Sequence, residues 1–274
     1  MRLGVAYPNM GEWVDPSLVL RVAVSAEKIG YEVFMVDDHY MLPWTNRVFD
    51  AWILLTHVAS HTKRIRIGTV VTPIPLRPPG VLAKMVATLD HISGGRVILG
   101  VGAGWYRPEF EAFSEWRSAR ERVDMTREGV ELILRLWAED IVDFKGVYYK
   151  VKGAVLEPKP LQKPHPPLWF GTRGRRMLRL TAEYGDGWIP LTMPAEEYGR
   201  LKTHIEDLRS SLGRTGGFIY AIYHRVKTDL DWEVEYLAQL KDHGLELAVL
   251  LLRDVPRRSV EEFLGDAWDA LSGI

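Results

Sequence analysis

Eight short apolar segments, rich in Val, Ile and Leu, alternate with longer amphipathic segments along this 274-residue chain. The short segments predict strands at residues 3–6, 33–36, 65–71, 97–101, 168–170, 188–189, 218–226 and 247–252. The longer segments predict helices at residues 16–29, 50–60, 79–92, 121–137, 175–184, 195–212, 232–243 and 259–271. A strand and its helix take up roughly 30 to 35 residues, the size of a βα unit, which requires parallel strands. The alternation therefore predicts an α/β protein, a closed (β/α)8 TIM barrel forming a single domain over residues 1–274.

The alternation is interrupted between the fourth and fifth predicted strands. Residues 102–119 and 139–167 show no clear periodicity, and the second stretch contains a hairpin-like turn at 144–148 and a Pro-rich run at 157–167. We expect an insertion after the fourth strand–helix region of the barrel. The alternative is an open, doubly wound sheet in which the Pro-rich run links two halves.

Composition excludes several classes of partner. The chain carries 35 Lys and Arg against 36 Asp and Glu, a formal charge of −1, so we expect no nucleic acid and no anionic membrane as a partner. There is no Cys, and no apolar run is long enough to predict a transmembrane helix. With no secretory signal at the N-terminus, a cytoplasmic protein is expected. Only four Asn and Gln residues and no Cys are typical of a thermophile.

Acidic, imidazole and aromatic side chains follow the second predicted strand, at the end where a barrel carries its active site. The segment 37–44 contains Asp38, His39 and Trp44. A His can exchange a proton with a substrate, and a Trp can form a wall beside a flat ring. The alternative is a capping Asp and a surface His in a solvated loop. A metal site formed by Asp37, Asp38 and His39 is disfavoured, because adjacent residues rarely converge on one ion, so no metal is expected.

A glycine-rich segment follows the fourth predicted strand. Small residues at 102–104 allow a broad ligand to approach the backbone. A dinucleotide-binding fingerprint is excluded, because Trp105 stands within its required glycine spacing and Pro108 is expected to prevent an immediate helix. Glu109 is a candidate acid or base, and a solvated surface carboxylate is the alternative.

The segment 171–176 follows the fifth predicted strand and opens a helix with Gly, Thr and three Arg residues. Free N–H groups at a helix N-terminus and Arg side chains together favour binding of an anion, so a phosphate is expected here. The helix dipole disfavours cations at this end, which makes a purely structural role for these arginines unusual. Arg253, after the eighth strand, is a candidate second phosphate ligand.

Taken together, these segments resemble the bacterial luciferase-like flavin and deazaflavin oxidoreductases over nearly the whole chain. The matching segments are 38–39 with 43–44, 68–73, 95–97, 100–105, 156–160, 166–171 and 182–188. The resemblance implies a (β/α)8 barrel with an insertion after the fourth strand pair. It implies coenzyme F-420, an 8-hydroxy-5-deazaflavin that transfers hydride, or alternatively FMN, as the cofactor. Dimerisation through helices beside the early strands is also a habit of the family, so a homodimer is expected.

The resemblance also implies roles for individual residues. His39 and Trp44 match residues that flank the reactive carbon of the deazaflavin, and with Glu109 they are the expected catalytic residues. Val70 and Val71 match a bulge, often with a non-prolyl cis peptide bond, that supports the back face of the ring. The expected cofactor-binding residues are Asp38, His39, Val70, Val71, Thr72, Gly102, Ala103, Gly104, Gly171, Thr172, Arg173, Gly174, Arg175 and Arg253.

One position departs from the family pattern. Several deazaflavin dehydrogenases place a catalytic Glu directly after the Gly-x-Gly, where this chain has Trp105.

Three functions follow as hypotheses. The first is an enzyme that transfers a hydride between coenzyme F-420 and a small organic substrate. The second is an FMN-dependent monooxygenase that uses reduced flavin and oxygen, and the third is a cofactor-binding protein without turnover, favoured only if Trp105 has removed the chemistry.

Overall fold

The strands of the computed structural model, which describes residues 1–274, form a closed parallel barrel and one separate hairpin. The strands are β1 (Arg2–Tyr7), β2 (Val33–Val36), β3 (Arg66–Thr69), β4 (Thr72–Pro73), β5 (Val97–Gly102), β6 (Val142–Lys145), β7 (Lys150–Ala154), β8 (Leu168–Phe170), β9 (Gly187–Trp188), β10 (Ile219–Arg225) and β11 (Leu247–Leu251). The ring runs β1, β2, β3, β5, β8, β9, β10, β11 and returns to β1, with β4 a short continuation of β3 that also pairs with β5. The predicted TIM barrel is therefore confirmed, and the open doubly wound sheet is excluded.

Nine α-helices connect the strands, and they include all eight that the sequence predicts. They are α1 (Pro16–Ile29), α2 (Ala51–His61), α3 (Pro79–Ser93), α4 (Arg107–Phe113), α5 (Ala119–Ala138), α6 (Arg175–Tyr184), α7 (Ala195–Ser211), α8 (Leu230–Asp242) and α9 (Val260–Leu271). The expectation that Pro108 prevents a helix is wrong, because α4 begins at Arg107 with Pro108 in its first turn. A Pro is tolerated there, since the N–H groups of the first turn have no partner within the helix. None of the helices is long and apolar enough to span a bilayer.

The predicted insertion between α5 and β8 is confirmed as an antiparallel hairpin, β6–β7, followed by the Pro-rich run. The buried carboxylate of Glu128 on α5 accepts hydrogen bonds from the backbone N–H groups of the hairpin turn, which attaches the hairpin to the helix. The Pro-rich run packs against the barrel, because Gln162 bonds to the side chain of Asp90 and the carbonyl of Val97. It is part of a barrel crossover and does not link two halves.

Two apolar layers fill the fold. A cluster of 61 buried residues packs between the barrel and its helices, and a smaller cluster of 12 fills the barrel itself. Along β2, Val33 and Met35 belong to the inner cluster, whereas Phe34 and Val36 belong to the outer one, as expected for alternating side chains. Since side chains fill the interior, the barrel is a packed core, and room for a ligand remains at the carboxyl ends of the strands.

Candidate active site

A cavity of about 370 Å³ lies at the carboxyl ends of the strands, and we call it the first lobe. It is bordered by residues that follow β2, β3, β5, β8 and β9, and by the inward-facing Tyr223 of β10. Nine of the predicted site residues border it: His39, Val70, Val71, Gly102, Ala103, Gly104, Gly171, Thr172 and Arg173. The barrel geometry therefore brings most of the predicted cofactor residues together, although they span over 130 positions of sequence.

A second lobe of about 300 Å³ adjoins the first. The two lobes share five bordering residues: Asp37, His39, Trp105, Leu191 and Tyr223. Trp44 and Arg253 border only the second lobe, where the Arg253 guanidinium lies 4.6 Å from the centre of the Trp44 ring. Arg173 borders only the first lobe. The expectation that Arg253 joins Arg173 at one phosphate is thus not supported, because the two side chains line different lobes.

His39 is held at the junction of the lobes by a buried carboxylate. Its Nδ1 lies 2.9 Å and 3.1 Å from the two carboxylate oxygens of Glu109, and no protein atom bonds to its Nε2. Glu109 is fully buried and also accepts hydrogen bonds from the N–H groups of Tyr40 and Met41. The alternative, a solvated surface Glu109, is therefore excluded, because α4 turns this carboxylate under the loop that carries His39.

The environment of His39 favours its protonated form. Burial lowers the pKa of the imidazole, but the hydrogen bond and the charge of Glu109 outweigh burial and raise the pKa above its ordinary value. The nearby carboxylates of Asp37 and Asp38 add to the increase. Because Nδ1 is bound to Glu109, Nε2 is the nitrogen available to a ligand in the cavity.

Asp38 and Thr72 lie behind the cavity wall and border neither lobe. Asp38 is fully buried, and its two oxygens lie 2.6 Å and 2.7 Å from the guanidinium of Arg77. The indole N–H of Trp52 and the hydroxyl of Thr72 also donate to this carboxylate. The expectation that Asp38 and Thr72 contact a cofactor is corrected: all their polar contacts are internal, and they fix the ends of β2 and β4.

Val71 forms one wall of the first lobe, and glycines make room for it. The peptide bond between Val70 and Val71 is cis, the feature that the family resemblance implies. A Cβ atom added at Gly102 would lie 2.6 Å from the Val71 side chain, and one added at Gly171 would lie 2.8 Å from it. Gly104 adopts a φ of +77°, and a Cβ atom there would lie 2.4 Å from Phe110. These glycines therefore accommodate protein side chains and a left-handed turn, in addition to leaving the wall flat.

The predicted phosphate segment lies between β8 and α6. Gly174 precedes the helix and provides no side-chain cap, so the first N–H groups of α6 lack a side-chain partner. Arg173 donates to the carbonyl oxygens of Leu191 and Thr192, whereas Arg175 has no hydrogen bond or ion pair within the chain. Gly174 and Arg175 border neither lobe. The structure thus places residues 171–173 on the cavity and the next two beyond its edge.

Tyr223 and Asp37 both border the two lobes, although no sequence pattern pointed to Tyr223 and none predicted a contact between Asp37 and a cofactor. The Tyr223 hydroxyl lies 3.0 Å and 3.1 Å from the two carboxylate oxygens of Asp37. Burial raises the pKa of Asp37 to about 6, against the opposing charge of His39 and the hydrogen bond from Tyr223. The alternation of β2, continued into the residues that follow it, was the available signal, because it predicts Asp37 and His39 on the face of Val33 and Met35 and Asp38 on the other.

Comparison with known proteins identifies the family of this chain. The family model of the luciferase-like monooxygenases matches residues 3–231. An F-420-dependent glucose-6-phosphate dehydrogenase from Amycolatopsis mediterranei is 38% identical over 192 residues, which cover 68% of this chain and 57% of that protein. One from Microbacterium testaceum is 33% identical over 219 residues, which cover 78% of this chain and 64% of that protein. The chain thus spans about 57–64% of the length of these relatives.

A solved structure supports the fold independently. An F-420-dependent secondary alcohol dehydrogenase, in complex with an F-420–acetone adduct, superposes with a TM-score of 0.85 at 23% identity and covers 98% of both chains. At this level of identity, the likeness concerns the fold.

Proposed function

Because this chain belongs to the luciferase-like monooxygenase family, we propose that it is an oxidoreductase that transfers a hydride between coenzyme F-420 and a small organic substrate. The observation that carries the proposal is the position of His39. Its Nδ1 is bound to the buried Glu109, and its free Nε2 belongs to a side chain that borders both lobes. A proton-exchanging group therefore stands where a cofactor in one lobe would meet a substrate in the other.

The residues of the first lobe fit a deazaflavin with a phosphate-bearing side chain. Val71 and the glycines at 102, 104 and 171 form a wall of low relief, which suits a flat ring. The guanidinium of Arg173 borders the same lobe and the uncapped start of α6 lies just beyond its edge, and together they favour an anion at that end. When bound, the deazaflavin supplies the hydride-accepting or hydride-donating carbon.

His39 exchanges the proton that accompanies hydride transfer. In alcohol oxidation the substrate hydroxyl loses its proton to Nε2, and in carbonyl reduction Nε2 returns a proton to the oxygen. Glu109 holds the ring in place and stabilises its protonated form, as the raised pKa of His39 indicates. This pair supports turnover despite the Trp at position 105, and so disfavours a protein that only binds a cofactor.

Trp44 and Trp105 cover the reacting region. Their rings stack with centroids 6.4 Å apart, and the Trp105 ring meets His39 edge-on at 5.8 Å. Each side chain is about half exposed, so together they form the outer wall of the second lobe. A substrate held beneath them would be shielded from water, which protects the hydride-transfer step from side reactions.

The proposal is tested by titrating the purified protein separately with F-420 and FMN and following fluorescence. We expect F-420 to bind at least about tenfold tighter than FMN. We also expect an alcohol or a carbonyl compound to be turned over with F-420 under anaerobic conditions. Tighter binding of FMN, together with oxygen consumption by the reduced flavin, would instead support the monooxygenase hypothesis. Binding of F-420 without turnover of any alcohol or carbonyl would support the third hypothesis.

We also propose that the protein is a cytoplasmic homodimer. Three large aliphatic side chains on neighbouring helices of the early strands face outward: Ile53 of α2 is 73% exposed, and Val81 and Ile92 of α3 are 53% and 49% exposed. Apolar side chains grouped on neighbouring helices are typical of an interaction surface. Sedimentation of the wild type and of Ile53→Glu tests the dimer, and cell fractionation tests the location.

A further inference from the structure

Asp37 lies at the junction of the two lobes, and the proposed reaction does not use it. The only protein group that bonds to its carboxylate is the hydroxyl of Tyr223, which lies 3.0 Å and 3.1 Å from the two oxygens. A hydroxyl has one proton to donate, whereas an ionised carboxylate accepts about four hydrogen bonds. Most of the accepting capacity of Asp37 therefore remains for a molecule in the cavity.

In the same loop, the neighbouring Asp38 has a carboxylate whose hydrogen-bond acceptors are all occupied by donors from the protein. Four donor groups converge on it: two guanidinium nitrogens of Arg77, the indole N–H of Trp52 and the hydroxyl of Thr72. Asp38 lies outside both lobes, and Asp37 borders both. Asp38 is fully buried and has its donors supplied by the protein, whereas Asp37 is only partly buried and faces the cavity, so a ligand there can supply the donors that the protein does not.

The charges around Asp37 limit the donor that it could accept. The groups that act on its carboxylate are His39 and Asp38 on its own loop, Tyr223 on β10 and Arg253 after β11. Two of these, His39 and Arg253, carry or can carry positive charge and border the second lobe, so a substrate ammonium group would be repelled there. A substrate anion beside Asp37 would be repelled by the carboxylate itself. A neutral hydroxyl donor meets neither penalty.

We propose that Asp37 is a specificity-determining residue that accepts a hydrogen bond from a second, non-reacting hydroxyl group of the substrate. Asp37 and His39 are two positions apart in the loop after β2 and both border the two lobes, so a substrate oxygen at His39 has Asp37 beside it. The substrate class is therefore vicinal diols and the corresponding hydroxycarbonyl compounds. This inference rests on the proposed function for the identity of the reacting oxygen.

The test compares binding of propane-1,2-diol with binding of propan-2-ol, which lacks one hydroxyl. Saturation-transfer NMR is recorded on the protein with and without oxidised F-420, and the affinity for F-420 is measured in the same samples. We expect the diol to bind about tenfold tighter than the mono-alcohol, as a hydrogen bond to a charged group allows. Asp37→Ala should remove this preference, and Asp37→Asn, which keeps one acceptor oxygen, should retain part of it.

Two controls separate a contact with the substrate from a structural role. Asp231→Ala removes an exposed carboxylate on α8 and should leave the preference unchanged. Tyr223→Phe keeps the carboxylate and should retain a preference for the diol. Since burial raises the pKa of Asp37 to about 6, the preference should weaken as the pH falls through this value.

Several outcomes would overturn the inference. If the wild type binds both alcohols equally, or binds neither, it has no acceptor for the second hydroxyl group. A loss of F-420 affinity in Asp37→Ala of more than about twofold would instead place the carboxylate on the cofactor. Failure of the wild type to bind F-420 contradicts the proposed function alone, because the diol preference is also measured without the cofactor.

Discussion

Two histidine–glutamate pairs occur in this barrel, and they differ in what surrounds the second ring nitrogen. Nδ1 of His39 lies 2.9 Å from Glu109, and its Nε2 has no partner in the protein. Nε2 of His224 lies 2.5 Å from Glu233, while its Nδ1 lies 3.1 Å from the hydroxyl of Thr192. One pair therefore keeps a nitrogen available for chemistry, and the other uses both nitrogens for structure.

The two pairs differ because they lie on opposite faces of the barrel wall. His39 borders the cavity, and so does Tyr223, the neighbour of His224. His224 itself faces outward, where the rings of Trp232 and Tyr236 pack against it with centroids 6.3 Å and 4.9 Å away. Since strand residues alternate between faces, a shift of one position decides whether the same residue types form a reactive or a structural pair.

The largest effect should follow from His39→Ala. Positioned acid–base catalysis is typically worth about 10²–10⁴-fold, so turnover with F-420 should fall by that factor. Affinity for F-420 should change much less, because the phosphate contacts lie elsewhere in the first lobe. Anaerobic kinetics and a fluorescence titration measure the two quantities, with His61→Ala, an exposed residue of α2, as the control. Full turnover with an unchanged pH profile would show that His39 is only part of the wall.

Glu233→Gln should reduce stability and spare catalysis. This buried carboxylate binds His224 and accepts a hydrogen bond from the backbone N–H of Lys227 at 2.7 Å. Losing hydrogen bonds to a charged group should lower the free energy of unfolding by about 1.5–3 kcal/mol. Urea denaturation measures the loss, and Glu235→Gln, exposed on the same helix, is the control. If turnover instead fell as much as it does in His39→Ala, the distinction between the pairs would fail.

Glu109→Gln should have the opposite profile, a loss of turnover of about tenfold with smaller effects on F-420 binding. Glu109 raises the pKa of His39, so the limb of the pH–rate profile that His39 causes should move toward lower pH in this variant. The pH–rate profile of kcat/KM checks this. An unmoved limb would mean that another group controls it, with Asp37 the next candidate because its pKa is raised to about 6.

The smallest effect concerns stability against pH. The pKa of His39 is higher in the folded protein than its ordinary value of about 6.5, so this residue stabilises the fold fully below that pH. This contribution is lost as the pH rises from there through the folded-state pKa. The free energy of unfolding of the wild type should therefore decline over this interval, and that of Glu109→Gln should decline less. Parallel curves for the two proteins would contradict the assigned shift.

The barrel and its helices could be predicted because their signals are local. Periodic apolar positions and helix boundaries depend on residues close in sequence, and all eight barrel strands and their helices were predicted. All strands of a parallel barrel end at the same rim. The residues that follow them can therefore be assigned to one cavity before any contact between them is known. For this reason His39, Gly104 and Gly171 could be assigned to one site from sequence.

The amino-acid sequence by itself thus determined the strand–helix alternation, the insertion and the end of the barrel that carries the cavity. Tertiary structure alone decided which side chains pair. Glu109 meets His39 across 70 positions only because α4 forms and turns inward, and Asp38 pairs with Arg77 across 39 positions only in the assembled barrel. The periodicity of apolar residues shows on which face of its own helix or strand a residue lies. The distance and direction to a group on another element depend on how the elements pack, so pairing follows only from the assembled fold.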